Sequence, residues 1–445
     1  MKPAPWAVMG IWIPGLLLMA AADAGFPGLW SSLALPLAGV AGLALALAAR
    51  SDENRRGLQS ALLALLPLLA LLAVYAVNPT HRMDAWGAPV PVPHWRAAPG
   101  TAFRPGTLAA GGRLVAALTV FVLSAVIGTR SNRLTWILLA LIGGGIGLIA
   151  IQQRIMPRPF PVFEYTGIFV SPNHFAAFAN LSIPLALGAG IRARYRAIHR
   201  DARSNPSPLF FLAALLMSAA IAGSRSRAGT ALLLVSVIGG AAILWRLDRR
   251  YGHWRPSSRL RSVLGLPLLL ALAAAAALTV GRFRGIPSSD EWAFRGRILR
   301  DTLAMWRDRP AWGVGPGAFA AAFPYYQSDA LRPVRLLHAH CEPAQFLAEF
   351  GALGALIAIG SCGACAWRLS RTLRADRAEV PRFDEIERPA AALALATVAL
   401  HALVDFPFRA PAIALLAAFC AGQCCRGLDL RPDPGKPRHT AAAGL

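Results

Sequence analysis

The sequence predicts an all-α integral membrane protein that crosses the bilayer about twelve times. Of its 445 residues, 56% are hydrophobic and only 15% are charged. The apolar residues recur in runs of about 20, which is the length of a membrane-spanning helix, and short basic segments separate these runs. This pattern excludes a separate soluble enzyme domain.

The apolar runs define the expected transmembrane helices. They cover 6–22, 29–49, 58–77, 107–128, 134–151, 174–191, 209–223, 228–245, 263–280, 345–367, 390–406 and 410–425. The first run ends in AAADAG, which has the small residues of a signal-peptide cleavage site. We interpret it as a span because Lys2 is the only basic residue before it and because Trp12, Pro14 and Gly15 interrupt it.

Basic residues predict the orientation of the chain. With both termini in the cytoplasm, the cytoplasmic segments contain 27 of the 45 Lys and Arg residues, and nine of the other 18 lie in one long outer segment. Because long translocated loops escape the positive-inside rule, this arrangement satisfies it. We therefore expect helices one to nine in 1–280, a long outer loop at 281–344, helices ten to twelve in 345–425 and a disordered cytoplasmic tail at 426–445.

The membrane topology accounts for the net charge of +23. We expect membrane lipids as partners and no nucleic acid, because most of the charge lies in connections between apolar runs. Five of the six cysteines lie in or beside apolar segments, so no disulfide framework is expected. Cys362 and Cys365 have CxxC spacing but lie inside a helical pattern, which favours packing over a metal or redox role.

Two outer connections are long. The segment 78–106 is rich in Pro, Trp and Gly, which predicts an ordered but irregular cover. The second, 281–344, contains Ile298, Leu299, Leu303 and Trp306 at helical spacing before Pro310. This spacing predicts an amphipathic helix, which we expect along the outer membrane face.

Arginines on the outer side need an explanation beyond orientation. Arg225 and Arg227 lie in GSRSRAG (223–229), a very short turn before a helix N-terminus. Arginine forks at such a position suit a phosphate or pyrophosphate group. The alternative is that both arginines reach toward lipid headgroups.

A second group of arginines begins the amphipathic helix. Arg297, with Arg295 and Arg300 nearby, can close over the same anion. The alternative for Arg297 is a solvated helix face and an i,i+4 pair with Asp301.

Histidines lie where the long loop meets the tenth span, in LLHAHCEPAQFLAEFG (336–351). A neutral imidazole of His338 or His340 is a natural general base for a hydroxyl group, although a packing or hydrogen-bonding role remains open. Zinc is not favoured, since Glu342 and Glu349 are the only acids close by. Glu349 falls inside a span, where an ionisable group indicates function.

Together these motifs resemble the O-antigen ligase and O-antigen polymerase superfamily of bacterial polytopic membrane glycosyltransferases. The resemblance covers about 167–423 and implies a GT-C-like fold. The segments that carry it are GIFVSPNHFAAF (167–178), SRAG (226–229), GRILRDTLAMWRDRPAWGVGPGAF (296–319), HAHCEPAQFLAEFGALGAL (338–356) and HALVDFPFRAP (401–411).

The resemblance also implies roles for individual residues. It places catalytic roles on Arg227, Arg297 and His340, and we expect four neighbours to contact the substrates. These are Arg225, Arg300, His338 and Glu342. The family often has asparagine after its histidine, where this chain has Cys341.

The implied reaction is inverting transfer of a glycan from undecaprenyl pyrophosphate to an acceptor hydroxyl on the periplasmic face of the bacterial inner membrane. The first hypothesis is a ligase of lipopolysaccharide biosynthesis that uses lipid A-core oligosaccharide as acceptor. An O-antigen or exopolysaccharide polymerase and a protein O-oligosaccharyltransferase would use the same donor site. No cofactor or metal is expected, since arginines can stabilise the leaving group. A solute transporter is the alternative from another class; it would place ionisable residues near the bilayer midplane.

Overall fold

The computed structural model describes residues 5–22, 34–48, 66–84, 89–156, 166–199, 204–251, 277, 289–375 and 383–426. Within these ranges the chain is almost entirely helical. The helices are α1 (Pro5–Ala22), α2 (Leu35–Ala48), α3 (Leu66–Val77), α4 (Arg104–Val126), α5 (Thr129–Ile155), α6 (Pro172–His199), α7 (Ser207–Gly223), α8 (Arg227–Tyr251), α9 (Ser289–Asp308), α10 (Phe319–Ala322), α11 (Glu342–Ala375), α12 (Phe383–Ala402) and α13 (Pro411–Cys425).

The membrane character of the fold is confirmed. Five described helices are long and apolar enough to cross a bilayer, and four shorter apolar helices accompany them. The total of twelve stays a prediction, because the expected span at 263–280, apart from residue 277, lies outside the described residues, as does the expected tail beyond 426. The span expected at 390–406 differs, since α12 ends at Ala402 and a turn carries Asp405.

Helix α6 is the centre of the bundle. It packs against α5, α7, α8, α12 and α13, and nearly all of its apolar segment is buried. Alanines allow this close packing along its length, and Phe175 and Phe178 fill the larger spaces. The start of α6 therefore lies among the helix ends that carry the candidate site.

At the opposite end of the bundle, a buried ionic cluster joins four helices. Glu387 at the start of α12 pairs with Arg192 at the end of α6. The same carboxylate accepts a hydrogen bond from Asn132 of α5 at 2.9 Å and lies 3.8 Å from Arg426, which follows α13. All four residues come from segments that the charge distribution predicts to face the cytoplasm.

Helix α11 is broken at Gly351, which has φ 65° and ψ −172°. A side chain at this position would meet the carbonyl group of Ala311 at 2.3 Å, so only glycine fits. The loop after α9 hydrogen-bonds to the break: Val314 N donates to the carbonyl of Ala348 at 2.9 Å, and Ala352 N donates to that of Pro310 at 2.8 Å. The loop thus satisfies the backbone groups that the break frees.

The outer connections form one module with its own small core. In α9 the buried apolar residues are Ile298 and Met305, and they pack with Phe319 and Phe323. Leu299, beside Ile298 in the apolar pattern, is 38% exposed. The amphipathic helix is present, and its expected place along the outer membrane face stays a prediction.

The cover predicted at 78–106 is ordered and mostly irregular. It contains a short antiparallel hairpin of β1 (His81–Met83) and β2 (Pro89–Pro91). Asn78 organises the rest by donating to the carbonyl of Pro99 at 2.9 Å and accepting from Trp95 N at 2.9 Å. Ala102 N donates to the carbonyl of Val314 at 2.8 Å, which holds this cover against the loop after α9, and Thr107 of α4 donates to the carbonyl of Pro316 at 2.7 Å beside it.

Candidate functional site at the start of helix α6

His340 has a backbone conformation that is unusual for a residue with a side chain. Its φ is 53°, and it is the one non-glycine residue with positive φ in the described part of the chain. Such conformations are costly and persist where the surroundings impose them. Here Gln345 accepts a hydrogen bond from Ala339 N at 3.1 Å and donates to Glu349 at 3.1 Å, which fixes the segment to the first turns of α11.

Asp405 is the carboxylate that faces His340. Its Oδ1 lies 3.7 Å from His340 Nδ1, and 4% of the aspartate side chain is exposed against 33% of the imidazole. Burial raises the pKa of the Asp405 carboxyl, but a hydrogen bond with His340 and the nearby imidazoles of His174 and His401 outweigh this and hold the pKa below its ordinary value. The carboxylate is therefore ionised at neutral pH, while the imidazole it faces stays accessible.

Four imidazoles surround the turn that holds Asp405 and Phe406; we call them the histidine cluster. The ring of Phe406 lies 4.4 Å from that of His338, 4.9 Å from that of His340 and 5.1 Å from that of His174. His401, one turn before Asp405, is 1% exposed. Within the part of the chain that the structure describes, neither of its ring nitrogens has a hydrogen-bond partner, so the fourth imidazole is a buried polar group that packing alone does not explain.

His338 cannot act as a base of ordinary strength. Burial, followed by the positive charge of Arg409, lowers its pKa to about 3. The imidazole is therefore neutral throughout the physiological pH range. Its place against Phe406 suits packing and hydrogen bonding to a substrate, and of the two histidines in the motif only His340 faces a carboxylate.

A buried ionic network holds the Asp405 turn against α11. Arg409 donates to Glu349 Oε2 at 3.1 Å and lies 3.6 Å from Glu342 Oε2, while Phe408 N donates to Glu342 at 3.1 Å. Burial lowers the pKa of the Arg409 guanidinium, but the two carboxylates outweigh this and hold the pKa above its ordinary value. Arg409 therefore stays charged, and its contacts hold the turn from Asp405 against α11.

Glu342 is 8% exposed and contacts Arg409. Its expected contact with substrate stays a prediction. The partner of His340 is Asp405, which comes from the segment 401–411. His174 comes from 167–178. Both segments carry the family resemblance, so a signal for these residues was present in the sequence.

The turn at 223–227, which we call the arginine turn, lines a cavity, which we call the arginine cavity. It has a volume of about 520 Å³ and is lined by Arg154, Gly223, Ser224, Arg225 and Arg227. Ser226 is the N-cap of α8, since its hydroxyl accepts a hydrogen bond from Gly229 N at 3.0 Å. Arg227 is therefore the first residue of the helix, as the motif predicts, with the helix dipole behind it.

Helix α6 connects the arginine cavity with the histidine cluster. Asn180 donates to the carbonyl of Gly229 at 2.9 Å, and Gly229 packs against Ala176. Ala176 lies two residues after His174 on the same helix. The start of α8 and the histidine cluster thus both adjoin the first turns of α6.

Among the described residues, those that line the arginine cavity include Arg227 but not Arg297. Within the part of the chain that the structure describes, the Arg297 guanidinium hydrogen-bonds only to Ala293 O on its own helix, at 3.4 Å. It does not pair with Asp301, whose carboxylate accepts from Ser328 N at 2.9 Å.

The other two arginines of α9 have separate contacts. Arg300 lies 3.8 Å from Asp301 and is largely exposed. Arg295 donates to the carbonyl of Val404 at 2.8 Å. It is therefore Arg295 that connects α9 to the Asp405 turn.

The fold and this site define a class: a helical membrane protein with a histidine and carboxylate pair and an arginine cavity at one end of its bundle. The family model described as O-antigen ligase matches residues 212–359, which include the arginine turn, α9 and the histidine motif. This match confirms the resemblance to the O-antigen ligase and polymerase superfamily and supports a bacterial membrane glycosyltransferase in general. No curated protein sequence matches the chain.

Proposed function

We propose that the protein is an inverting glycosyltransferase that moves a glycan from undecaprenyl pyrophosphate to an acceptor hydroxyl on the periplasmic face of the inner membrane. Lipid A-core oligosaccharide is the acceptor of first choice. The observation that carries the proposal is His340, held in a constrained backbone conformation with Nδ1 toward the buried Asp405 carboxylate. A base oriented by a second group is the arrangement that activates a hydroxyl nucleophile.

Each proton and electron pair has a place in this reaction. Nδ1 of His340 faces Asp405, so Nε2 receives the proton of the acceptor hydroxyl. The acceptor oxygen forms a bond to the anomeric carbon as the bond from that carbon to the pyrophosphate oxygen breaks. The pyrophosphate leaves with the electron pair on the opposite face of the sugar, which inverts the anomeric configuration. Asp405 is a positioning residue that also stabilises the imidazolium.

The leaving group is assigned to the arginine cavity. Guanidinium groups form paired hydrogen bonds with phosphate oxygens, and they compensate the charge that develops as pyrophosphate departs. Arg225 and Arg227 lie at the α7–α8 turn for this role. Arg297 joins them only if α9 rearranges when substrate binds, because in this structure its guanidinium bonds to its own helix. The chemistry proposed here requires no metal.

The acceptor is the less determined partner. A polymerase or a protein O-oligosaccharyltransferase would use the same base and the same leaving-group site. The cover at 78–106 and the loop after α9 are held together by the hydrogen bond from Ala102 N to the carbonyl of Val314, so we assign acceptor selection to this joint surface. The proposed sidedness places it in the periplasm.

The test is transfer by the full-length protein in lipid nanodiscs. Undecaprenyl pyrophosphate-linked glycan would be supplied with lipid A-core, with a second lipid-linked glycan or with a hydroxyl-bearing peptide. His340→Ala should lower transfer by roughly 10²- to 10⁴-fold, the usual contribution of general-base catalysis. His199→Ala, at the opposite end of α6 from the candidate site, is the matched control. Transfer that survives His340→Ala would overturn the assignment, and anion uptake without transfer would support a transporter.

A further inference from the structure

Helices α5 and α7 approach each other unusually closely. A side chain at Gly147 would lie 3.1 Å from the backbone nitrogen of Met217, and one at Gly144 would lie 2.7 Å from Ala213. Glycines at these positions let the two backbones pack in contact. The ends of α5 and α7 on the same side of the bundle are therefore forced together, and those ends carry Arg154 and the turn from Gly223.

The end of α5 is also held in place. The side chain of Gln153 is 8% exposed, and its amide makes two hydrogen bonds to one residue. Gln153 Nε2 donates to the carbonyl of Gly167 at 2.6 Å, and Gly167 N donates to Gln153 Oε1 at 3.0 Å. This buried pair fixes the last turn of α5. The backbone position of Arg154, the next residue, is therefore also fixed.

Arg154 lines the arginine cavity together with Arg225 and Arg227. The cavity of about 520 Å³ falls within the range of roughly 300–1,000 Å³ that is typical of small-molecule sites. Its charged lining comes from two separate parts of the chain. Arg154 lies in the last turn of α5, and Arg225 and Arg227 lie at the junction of α7 and α8. Three guanidinium groups around one such cavity suit a ligand with more than one anionic group, since each fork can engage a different set of phosphate oxygens.

We propose that Arg154 is a third donor-binding residue, which contacts the pyrophosphate of the polyprenyl-linked donor from the end of α5. This inference rests on the proposed function and adds a residue to its donor site. It also assigns a selectivity: the third guanidinium favours a pyrophosphate over a monophosphate, because the second phosphate supplies further oxygens for a third guanidinium fork.

The experiment is equilibrium binding to the full-length protein in nanodiscs, with undecaprenyl pyrophosphate and undecaprenyl monophosphate as probes. Arg154→Gln should weaken pyrophosphate binding by roughly 10- to 100-fold, the loss expected for one hydrogen bond to a charged group. Monophosphate binding should change by less than about threefold, so the preference for pyrophosphate shrinks. The pyrophosphate affinity of Arg154→Lys should fall between that of the parent and that of Arg154→Gln, since an ammonium group keeps the charge but cannot form paired hydrogen bonds. Arg130→Gln, an exposed arginine at the other end of α5, should bind as the parent does.

The outcomes separate this inference from the proposed function. If Arg227→Gln loses pyrophosphate binding while both Arg154 variants retain it, Arg154 is not a donor-binding residue and the donor site remains. If Arg227→Gln and Arg154→Gln both bind pyrophosphate as the parent does, the donor site itself is wrong. Equal weakening of monophosphate and pyrophosphate binding by Arg154→Gln would overturn the proposed selectivity. Arg154→Lys keeps the charge at the end of α5 and serves as the folded variant if Arg154→Gln lowers the yield.

Discussion

Replacing Asp405 with asparagine tests the pair that carries the proposed function. The change keeps the size of the side chain and removes its charge. Asp405 Oδ1 accepts a hydrogen bond from Phe406 N at 2.9 Å, which an asparagine oxygen can also accept. The turn should therefore persist, and the loss of charge opposite His340 is the main effect.

The size of the effect follows from the geometry. At the 3.7 Å that separates His340 Nδ1 from Asp405 Oδ1, an imidazolium and a carboxylate attract by roughly 4.5 kcal/mol if the effective dielectric constant is about 20. A proton that is half transferred in the transition state gains about half of this energy, and a fully transferred one gains it all. Turnover should therefore fall by roughly 40- to 2,000-fold.

The assay is glycan transfer under saturating donor, with donor binding measured in parallel. Asp405→Asn should lower kcat and leave the donor dissociation constant within about threefold of the parent. Asp248→Asn is the matched control, because this residue lies near the end of α8 that is opposite the arginine cavity. Turnover of Asp405→Asn within threefold of the parent, at normal expression, would refute the orienting role and leave His340 without its proposed partner.

Three other predictions concern stability and topology. Arg409→Met should lower the free energy of unfolding by about 3–5 kcal/mol in denaturant titrations, because it leaves buried carboxylates without their partner. Adding Glu349→Gln should restore part of this loss. If the effects of the two substitutions simply add, the network is contradicted. Because the folded pKa of His338 is about 3 and the unfolded value is about 6.5, the unfolded state takes up this proton first. Stability of the parent should fall as pH drops below about 6.5, and His338→Gln should reduce that sensitivity between pH 6.5 and 3 in thermal unfolding. In a background without native cysteines, cysteine at Ser204 should label only from the cytoplasm and cysteine at Asp329 only from outside; the reverse pattern would invert the proposed orientation.

Most helices of the fold could be predicted from the sequence because membrane spans are encoded by composition over about 20 residues. The break in α11 could not be predicted in this way. A span that contains Gly351 has normal hydropathy, and the break exists only because a loop some 40 residues earlier supplies the missing hydrogen bonds. The residues that α9 buries, Ile298 and Met305, likewise depend on Phe319 and Phe323, which lie in the segment that follows the helix.

The candidate site was predictable to the extent that its residues lie within motifs. His340 and Arg227 are found from their motifs. Asp405 could not be paired with His340 from the sequence, because Glu342 also carries a carboxyl group and is closer in the chain. Pro343 directly follows Glu342, and the helix that begins there directs the carboxylate to Arg409, 3.6 Å away. Distance along the chain therefore does not identify the carboxylate that faces His340.

The contacts of α9 separate the roles of two arginines that the sequence places together. Residues two apart on a helix point in nearly opposite directions, and Arg295 is directed to the carbonyl of Val404, the residue before Asp405. Arg297 is therefore directed away from the Asp405 turn, consistent with its bond to Ala293. A substrate that draws Arg297 toward the arginine cavity must rotate or shift α9, and the Arg295 contact would carry that movement to Asp405. Under the proposed function, donor binding would therefore be coupled to the position of the Asp405 carboxylate through α9.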